Sequence, residues 1–65
     1  MIKLTKQEEK ILDLLVQGKT NKEIAEEIFV SVHTVKLHLE KLFDKFSVKN
    51  RVQLAIKYYL RDEGK

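Results

Sequence analysis

The stretch that decides the fold is residues 20–46, which read TNKEIAEEIFVSVHTVKLHLEKLFDKF. Thr20 followed by Glu23 is a capping box, and it predicts the start of a short helix. Residues 29–30 follow its last apolar position and predict a turn. Ser31 is a favourable N-cap for a second, longer helix. The stretch therefore predicts two capped helices joined by a tight turn.

The longer helix has one apolar stripe and an unusual opposite face. The stripe is predicted from apolar residues at helical spacing, namely Val35, Leu39, Leu42 and Phe46. Leu37 lies nearly opposite this stripe, and its neighbours there are His33, Lys36, Glu40 and Lys41. A single exposed leucine is ordinary on a protein surface. Beside a helix-turn-helix spacing and a local excess of base, it favours a surface that enters a DNA groove.

The charge of the chain is concentrated around this helix. The net charge is +3, and residues 31–51 hold five basic residues against two acidic ones, while the rest of the chain is balanced. A solvated basic face is the usual explanation of such a patch when charge is the only observation. A phosphate backbone is the partner that such a patch suits best.

The rest of the sequence predicts two further helices. A capping box at Thr5 opens the first helix, and Gly18 suits the left-handed position that closes it. Asn50 predicts the N-cap of the last helix, which we expect to run to about Arg61. No segment shows the strict alternation of a half-buried strand. The predicted fold class is therefore all-α, with four helices in a single domain spanning residues 1–65.

Composition and motifs exclude several classes of function. The chain has no cysteine, no glycine-rich phosphate loop and no apolar run of transmembrane length. His33 and His38 are five residues apart, a spacing that does not place two ligands on one helix face. We therefore expect no metal, cofactor or small-molecule ligand, no enzymatic activity and no membrane association. A cytoplasmic protein associated with the nucleoid is the expectation.

An interpretation as a DNA-binding domain gives each exposed residue of the longer helix a task. Lys36 can reach guanine O6 and N7, Leu37 can contact a thymine methyl group, and Glu40 can accept from cytosine N4. Hydroxyls and free N–H groups at helix starts suit phosphate oxygens, at Thr20, Ser31 and Thr34. Further phosphate contacts are expected from Lys41, Lys45, Lys49 and Arg51. Capping alone also explains Thr20 and Ser31.

Several blocks of the sequence resemble the DNA-binding domain of LuxR/NarL-type transcription regulators from Leu4 to about Ala55. These blocks are Leu4-Thr5, Glu8, Ile11-Leu12, Gly18, Thr20-Asn21-Lys22-Glu23-Ile24-Ala25, Ser31, Thr34-Val35-Lys36, His38, Lys45, Val48 and Asn50-Arg51. The resemblance implies a helix-turn-helix over about residues 21–40, with a recognition helix over about 32–46 in the major groove. It also implies that a helix over about residues 51–61 forms the contact of a dimer on DNA.

The resemblance implies site residues as well. Base contacts are implied at Lys36, Leu37 and Glu40. Phosphate contacts are implied around Thr20, Asn21, Ser31, Thr34, Lys45 and Arg51. For the dimer interface we predict Leu54, Ala55, Tyr58 and Arg61, because the last helix carries more apolar surface than a small bundle can bury. The expected partners are double-stranded DNA, a second copy of the chain on an inverted repeat, and possible contact with RNA polymerase.

Two alternatives remain open at this point. One is a sigma-like promoter-recognition domain that reads DNA as a monomer, and the other is a protein-interaction module that uses the last helix. Ser47 departs from the family pattern, since glycine is common there, so a turn before the last helix that is either more strained or differently closed is expected. We expect either a stand-alone regulator or the C-terminal part of a longer one. The operator, the target genes and the controlling signal do not follow from the sequence.

Overall fold

Four α-helices account for most of residues 2–61, which are the residues that the computed structural model describes. They are α1 (Lys6–Val16), α2 (Asn21–Ile28), α3 (Val32–Phe46) and α4 (Arg51–Tyr59). No strand occurs among these residues, so the predicted all-α class with four helices is confirmed. The last helix ends two residues before the predicted Arg61. Residue 1 and residues 62–65 of the predicted domain lie outside the described residues.

Each helix begins at the N-cap that the sequence predicts. At the start of α2, Thr20 N–H donates to Glu23 Oε1 over 2.8 Å, and Glu23 N–H donates to Thr20 Oγ1 over 3.1 Å. A second reciprocal capping box opens α1, and Ser31 caps α3. The start of α4 has a modified capping box. Gln53 N–H donates to Asn50 Oδ1 as usual, but Gln53 Oε1 accepts from the N–H of Lys49 instead of from the N–H of the N-cap residue Asn50. Local hydrogen bonds therefore set where all four helices begin.

Three of the helices end in the same left-handed turn. The residue with positive φ is Gly18 after α1, Phe29 after α2 and Ser47 after α3, with φ of 87°, 61° and 55°. In each case the next N–H donates to a carbonyl five residues before it, as Val48 N–H does to Phe43 O over 3.0 Å. This is the Schellman arrangement, in which glycine is the residue without a steric cost. Of the two outcomes expected at Ser47, the strained turn is therefore the one present.

All four helices contribute to one hydrophobic core. The fully buried side chains include two residues of the α3 stripe and residues from the other three helices, namely Ile11, Leu12, Ile24, Val35, Leu42 and Leu54. At the edge of the core the Phe46 ring packs against the Tyr58 ring at 75°, with centroids 6.4 Å apart. The Tyr58 hydroxyl donates to Asp13 over 2.8 Å. Burial and this hydrogen bond raise the pKa of Tyr58 to about 12.

An ion pair joins α1 to α3 at the edge of the core. Glu8 is only 5% exposed, and Lys45 Nζ donates to both of its carboxylate oxygens, over 2.8 and 3.1 Å. Burial raises the pKa of Glu8, but hydrogen bonds from Lys45 and the Thr5 N–H outweigh it. The positive charge of Lys45 acts in the same direction. The pKa of Glu8 therefore lies below its ordinary value.

We expect the Glu8→Gln substitution to lower the free energy of unfolding at pH 7 by about 1–3 kcal/mol, because Lys45 loses its charged partner. Since folding lowers the pKa of Glu8, its ionised form stabilises the fold above the ordinary pKa of 4.5. This contribution disappears as the pH falls through the folded-state pKa. Urea unfolding should therefore show the difference between wild type and variant shrinking on acidification. Glu9→Gln, at an exposed neighbour, is the control. A difference that stays constant down to about pH 3 would contradict this account.

A reciprocal pair of substitutions tests the left-handed turns. Ser47→Gly should raise the free energy of unfolding by about 0.5–1 kcal/mol, because glycine adopts this backbone without a Cβ clash. Gly18→Ala should lower it by about 1 kcal/mol. An added Cβ at Gly18 would have no neighbour within 4 Å, so the cost there is conformational alone. Thermal unfolding of both variants measures whether each one gains or loses stability. A loss of stability in Ser47→Gly would contradict a strained left-handed backbone at Ser47.

Candidate nucleic-acid interface

The outward face of α3 carries the residues predicted to read bases. Leu37 is 47% exposed and lies on the side of the helix opposite the buried Val35 and Leu39. Lys36, Glu40 and Lys41 are exposed as well. At roughly 100° per residue, the two lysines border this face on either side, with the leucine and the glutamate between them. The arrangement combines two cations, one acceptor and one apolar contact on a single convex surface.

His33 belongs to the same face, although it is not among the base contacts predicted from the sequence. It is exposed in the first turn of α3. Its position is four residues before Leu37 and seven before Glu40, so all three side chains project from one side of the helix. That spacing is visible in the sequence and could have identified it. An imidazole there adds a hydrogen-bonding group near the N-terminus of the helix.

The hydroxyls at the starts of α2 and α3 are held by capping interactions. Ser31 Oγ accepts from the Thr34 N–H over 3.1 Å, and the two hydroxyl oxygens are 3.0 Å apart. One of these two hydroxyl groups donates its proton to the other. The hydroxyl group that accepts keeps its own proton, which is available for an external acceptor. Thr20 Oγ1 likewise accepts from a backbone N–H and keeps its own proton. Capping is therefore a real function of these residues, and it leaves each site able to donate.

Arg51 joins the start of α4 to the start of α2. Its Nη1 donates to Asn21 Oδ1 over 2.6 Å, and its Nη2 donates to the backbone carbonyl of Lys19. Burial lowers the pKa of Arg51. These bonds use two of the five guanidinium N–H groups, so three N–H groups remain for other acceptors. Together with Lys19 and Lys22, the arginine lines a shallow open depression at the first turn of α2, where helix N–H groups lack intrahelical acceptors.

Lys45 takes part in contacts that the sequence does not predict. Besides its two bonds to Glu8, its Nζ donates to the backbone carbonyl of Lys3 over 3.1 Å. These bonds hold α1 against α3 and compete with a phosphate oxygen for the same ammonium group. The phosphate contact of Lys45 stays a prediction. Lys41 and Lys49 are exposed and have no such partner within the described part of the chain.

The predicted dimer residues divide into buried and exposed ones. Leu54 and Tyr58 are 0% and 3% exposed, so they belong to the core of the single chain. Their part in a dimer interface stays a prediction. Periodicity does not separate the two sides of α4, because apolar residues cover most of its circumference. Ala55 is half-buried, and Arg61 stacks over the Tyr58 ring at 3.6 Å. The exposed apolar surface of α4 consists of Val52, Ile56, Tyr59 and Leu60.

Neither a metal-binding cluster nor a membrane-spanning helix is found within residues 2–61. No group of three or more His, Cys, Asp and Glu side chains in this range is arranged to hold a metal ion. None of the four helices is long and apolar enough to cross a membrane.

The fold and the exposed face of α3 define a helix-turn-helix domain, in which a short helix and a tight turn position a longer helix. Over residues 3–58 the chain matches the family described as bacterial regulatory proteins, luxR family. The chain therefore belongs to the luxR family of bacterial regulatory proteins, and the resemblance noted in the sequence is confirmed.

Individual relatives agree with this assignment. The transcriptional regulatory protein LiaR of Bacillus subtilis is 49% identical over 53 residues, which are 82% of this chain and 25% of LiaR. The spore germination protein GerE of the same species is 47% identical over 53 residues, 82% of this chain and 72% of GerE. The CsgBAC operon transcriptional regulatory protein of Escherichia coli is 52% identical over 50 residues, 77% of this chain and 23% of that protein. The chain thus spans about a quarter of the length of two of these relatives.

We expect Arg51→Met to lower the free energy of unfolding by about 1–3 kcal/mol, because it removes two charge-assisted hydrogen bonds between α4 and α2. Asn21→Ala should cost less, since the bond to the Lys19 carbonyl remains. Lys49→Met is the matched control, a nearby exposed cation whose loss should change stability by under about 0.5 kcal/mol. Chemical denaturation measures all three. Equal stabilities of the Arg51 and Lys49 variants would contradict the structural role of Arg51.

Proposed function

We propose that this domain is a sequence-specific bacterial transcription regulator that binds double-stranded DNA with α3 in the major groove. The single observation that carries the proposal is the exposed face of α3, where Leu37 lies opposite the core between Lys36 and Lys41 on a luxR-family domain. An apolar side chain between cations suits a groove that presents both methyl groups and phosphates. The names of the relatives LiaR and the CsgBAC regulator support a role in transcription. In this proposal the protein is not an enzyme and acts in the cytoplasm on the nucleoid.

In this proposal base contacts come from Lys36, Leu37 and Glu40, and His33 lies beside them. Lys36 reaches guanine, Leu37 contacts a thymine methyl group, and Glu40 accepts from cytosine N4. A carboxylate in the groove is favourable only where it accepts from a base, because it otherwise repels the backbone phosphates. Glu40 should therefore discriminate strongly among bases at one position.

Phosphate contacts are proposed on both sides of the groove. Thr20 and Asn21 at the start of α2, and Ser31 and Thr34 at the start of α3, combine side-chain donors with free helix N–H groups. Lys41 and Arg51 supply positive charge, the arginine through the donors that its structural bonds leave free. Lys19, Lys22 and Lys49 add to the same field. Lys45 is proposed as a weaker contact, because its bonds to Glu8 and to the Lys3 carbonyl compete with the phosphate.

A dimer on an inverted repeat is proposed through the exposed face of α4. The apolar residues of this face are between 54% and 74% exposed, namely Val52, Ile56, Tyr59 and the C-cap residue Leu60. Isologous pairing of this face would bury apolar surface that a small domain otherwise leaves in water. Ala55 and Arg61 lie at its margins. The same face is what favours the second candidate function, a protein-interaction module, and a contact with RNA polymerase would be one form of it.

The test is selection of a random duplex library on the purified protein at near-physiological salt, followed by sequencing. Enrichment of an inverted repeat with a fixed half-site spacing supports specific binding as a dimer. A single uninterrupted half-site would contradict the dimer and favour a sigma-like monomer. No enriched sequence from a folded protein would contradict sequence-specific reading and favour the interaction module.

Three substitutions separate base reading from phosphate binding. Lys36→Ala or Leu37→Ala should relax discrimination at one or two base pairs, by about 1–3 kcal/mol for a good contact. Lys41→Ala should weaken binding to all sequences alike and lower the slope of log affinity against log salt by about one.

The matched control for Lys41 is Lys45, whose cation is occupied by Glu8. Lys45→Ala should lower stability but change the salt slope of the folded protein less than Lys41→Ala does. Titrations of fluorescent operator and random duplexes at several salt concentrations measure both quantities. Equal losses on operator and random DNA for all the variants would contradict this division of roles.

A further inference from the structure

Phe29 is the most exposed large apolar side chain among residues 2–61, with 91% of its surface accessible. It follows the last turn of α2 and does not contribute to the core. Its backbone is left-handed, a conformation that glycine or asparagine adopts at lower cost. Neither packing nor backbone geometry within the domain therefore accounts for an aromatic side chain at this position.

The surroundings of Phe29 are acidic. The ring borders a shallow depression with Lys19, Glu23, Glu26 and Glu27, so three carboxylates face one ammonium group. One oxygen of Glu23 accepts from the Thr20 N–H. Glu26 and Glu27 are exposed and have no hydrogen-bond or ion-pair partner within the described residues. The depression thus presents two uncommitted carboxylates beside an aromatic ring.

The sign of this charge separates the three glutamates from the proposed DNA-binding face, although Lys19 lines both this depression and the one beside Arg51. Three glutamates close together repel a phosphate backbone, whereas the face of α3 carries Lys36 and Lys41 at its borders. Glu23, Glu26 and Glu27 lie on the side of α2 opposite the buried Ile24 and Ala25. The acidic surface is therefore complementary to a positively charged partner and unsuited to nucleic acid.

We propose that Phe29 and the α2 glutamates bind an arginine-bearing segment of a partner protein. A guanidinium group is planar, stacks on an aromatic face and forms paired hydrogen bonds with a carboxylate. In this site it would stack on the Phe29 ring and donate to Glu26 or Glu27. Lysine offers the same charge but neither the planar stacking surface nor the paired donors, so the surface prefers arginine.

The affinity of such a contact is low by itself. One exposed stacked cation and one exposed ion pair give weak binding, and salt weakens it further. A weak contact becomes effective when both proteins are held near each other, because the second binding event is then intramolecular. The proposed partner is therefore one that is brought to the same region as the regulator.

The experiment is an NMR titration of the isotope-labelled protein with a terminally blocked triarginine peptide. Trilysine with the same blocking groups is the matched probe of equal charge. We expect saturable shifts confined to the amides of residues 19–30 and to the Phe29 ring. Triarginine should bind about two- to fivefold more tightly than trilysine. Shifts spread over the other carboxylates of the protein, or equal affinities for the two peptides, would overturn the proposal.

Variants assign the contact to residues. Phe29→Asn suits the left-handed backbone, so the fold should be retained, and its triarginine affinity should fall to that of trilysine. Glu26→Gln together with Glu27→Gln should weaken both peptides alike. Glu9→Gln, which removes one exposed carboxylate of α1, should change neither. An unchanged triarginine affinity in Phe29→Asn would overturn the proposal.

Two further measurements exclude other occupants of the same surface. Phe29→Asn should leave the affinity for operator DNA and the sedimentation of the free protein unchanged. A loss of DNA affinity would mean that Phe29 packs against the duplex, and a change in self-association would mean that a second copy covers it. Either result would overturn the proposal. The peptide titration uses no DNA, so its outcome does not depend on whether the proposed function holds.

Discussion

The burial of one stripe of α3 is the constraint on which the rest of this structure depends. Val35 and Leu42 are fully buried, and Leu39 and Phe46 nearly so. Because these four side chains fix the rotation of α3 about its axis, they also fix which residues project into solvent. Ser31 sets where the helix starts, the left-handed turn at Ser47 sets where it ends, and the Lys45–Glu8 pair holds its C-terminal half against α1. The exposed face is thus a consequence of core packing.

The cations of this domain serve two different purposes. Lys45 and Arg51 are joined to other helices by hydrogen bonds, and their charge is partly used to hold a core that is small for four helices. Lys36 and Lys41 project from α3 without such partners in the described residues. Counting charge along the sequence does not separate these groups. Their separation matters, because only uncommitted cations contribute fully to binding a phosphate backbone.

Local features of the fold could be predicted from the sequence, and the long-range ones could not. The caps at Thr20 and Ser31 depend on residues three positions away, so a short sequence window contains both partners. The Lys45–Glu8 pair joins residues separated by 37 positions, and the Arg51–Asn21 bond joins residues separated by 30. These contacts exist only after the helices pack.

The two sides of α4 illustrate the same limit. Apolar residues nearly surround the helix, so periodicity does not say that Leu54 is buried and Ile56 exposed. The helix starts and the exposed Leu37 follow from patterns within single helices, and the structure agrees with both.

The most direct test of the central proposal is an isotope-filtered NOE measurement between the Leu37 methyl groups and a selected duplex. We predict NOEs to thymine methyl or cytosine H5 protons in the major groove. NOEs to minor-groove protons alone, or DNA NOEs from Ile56 with none from Leu37, would contradict it.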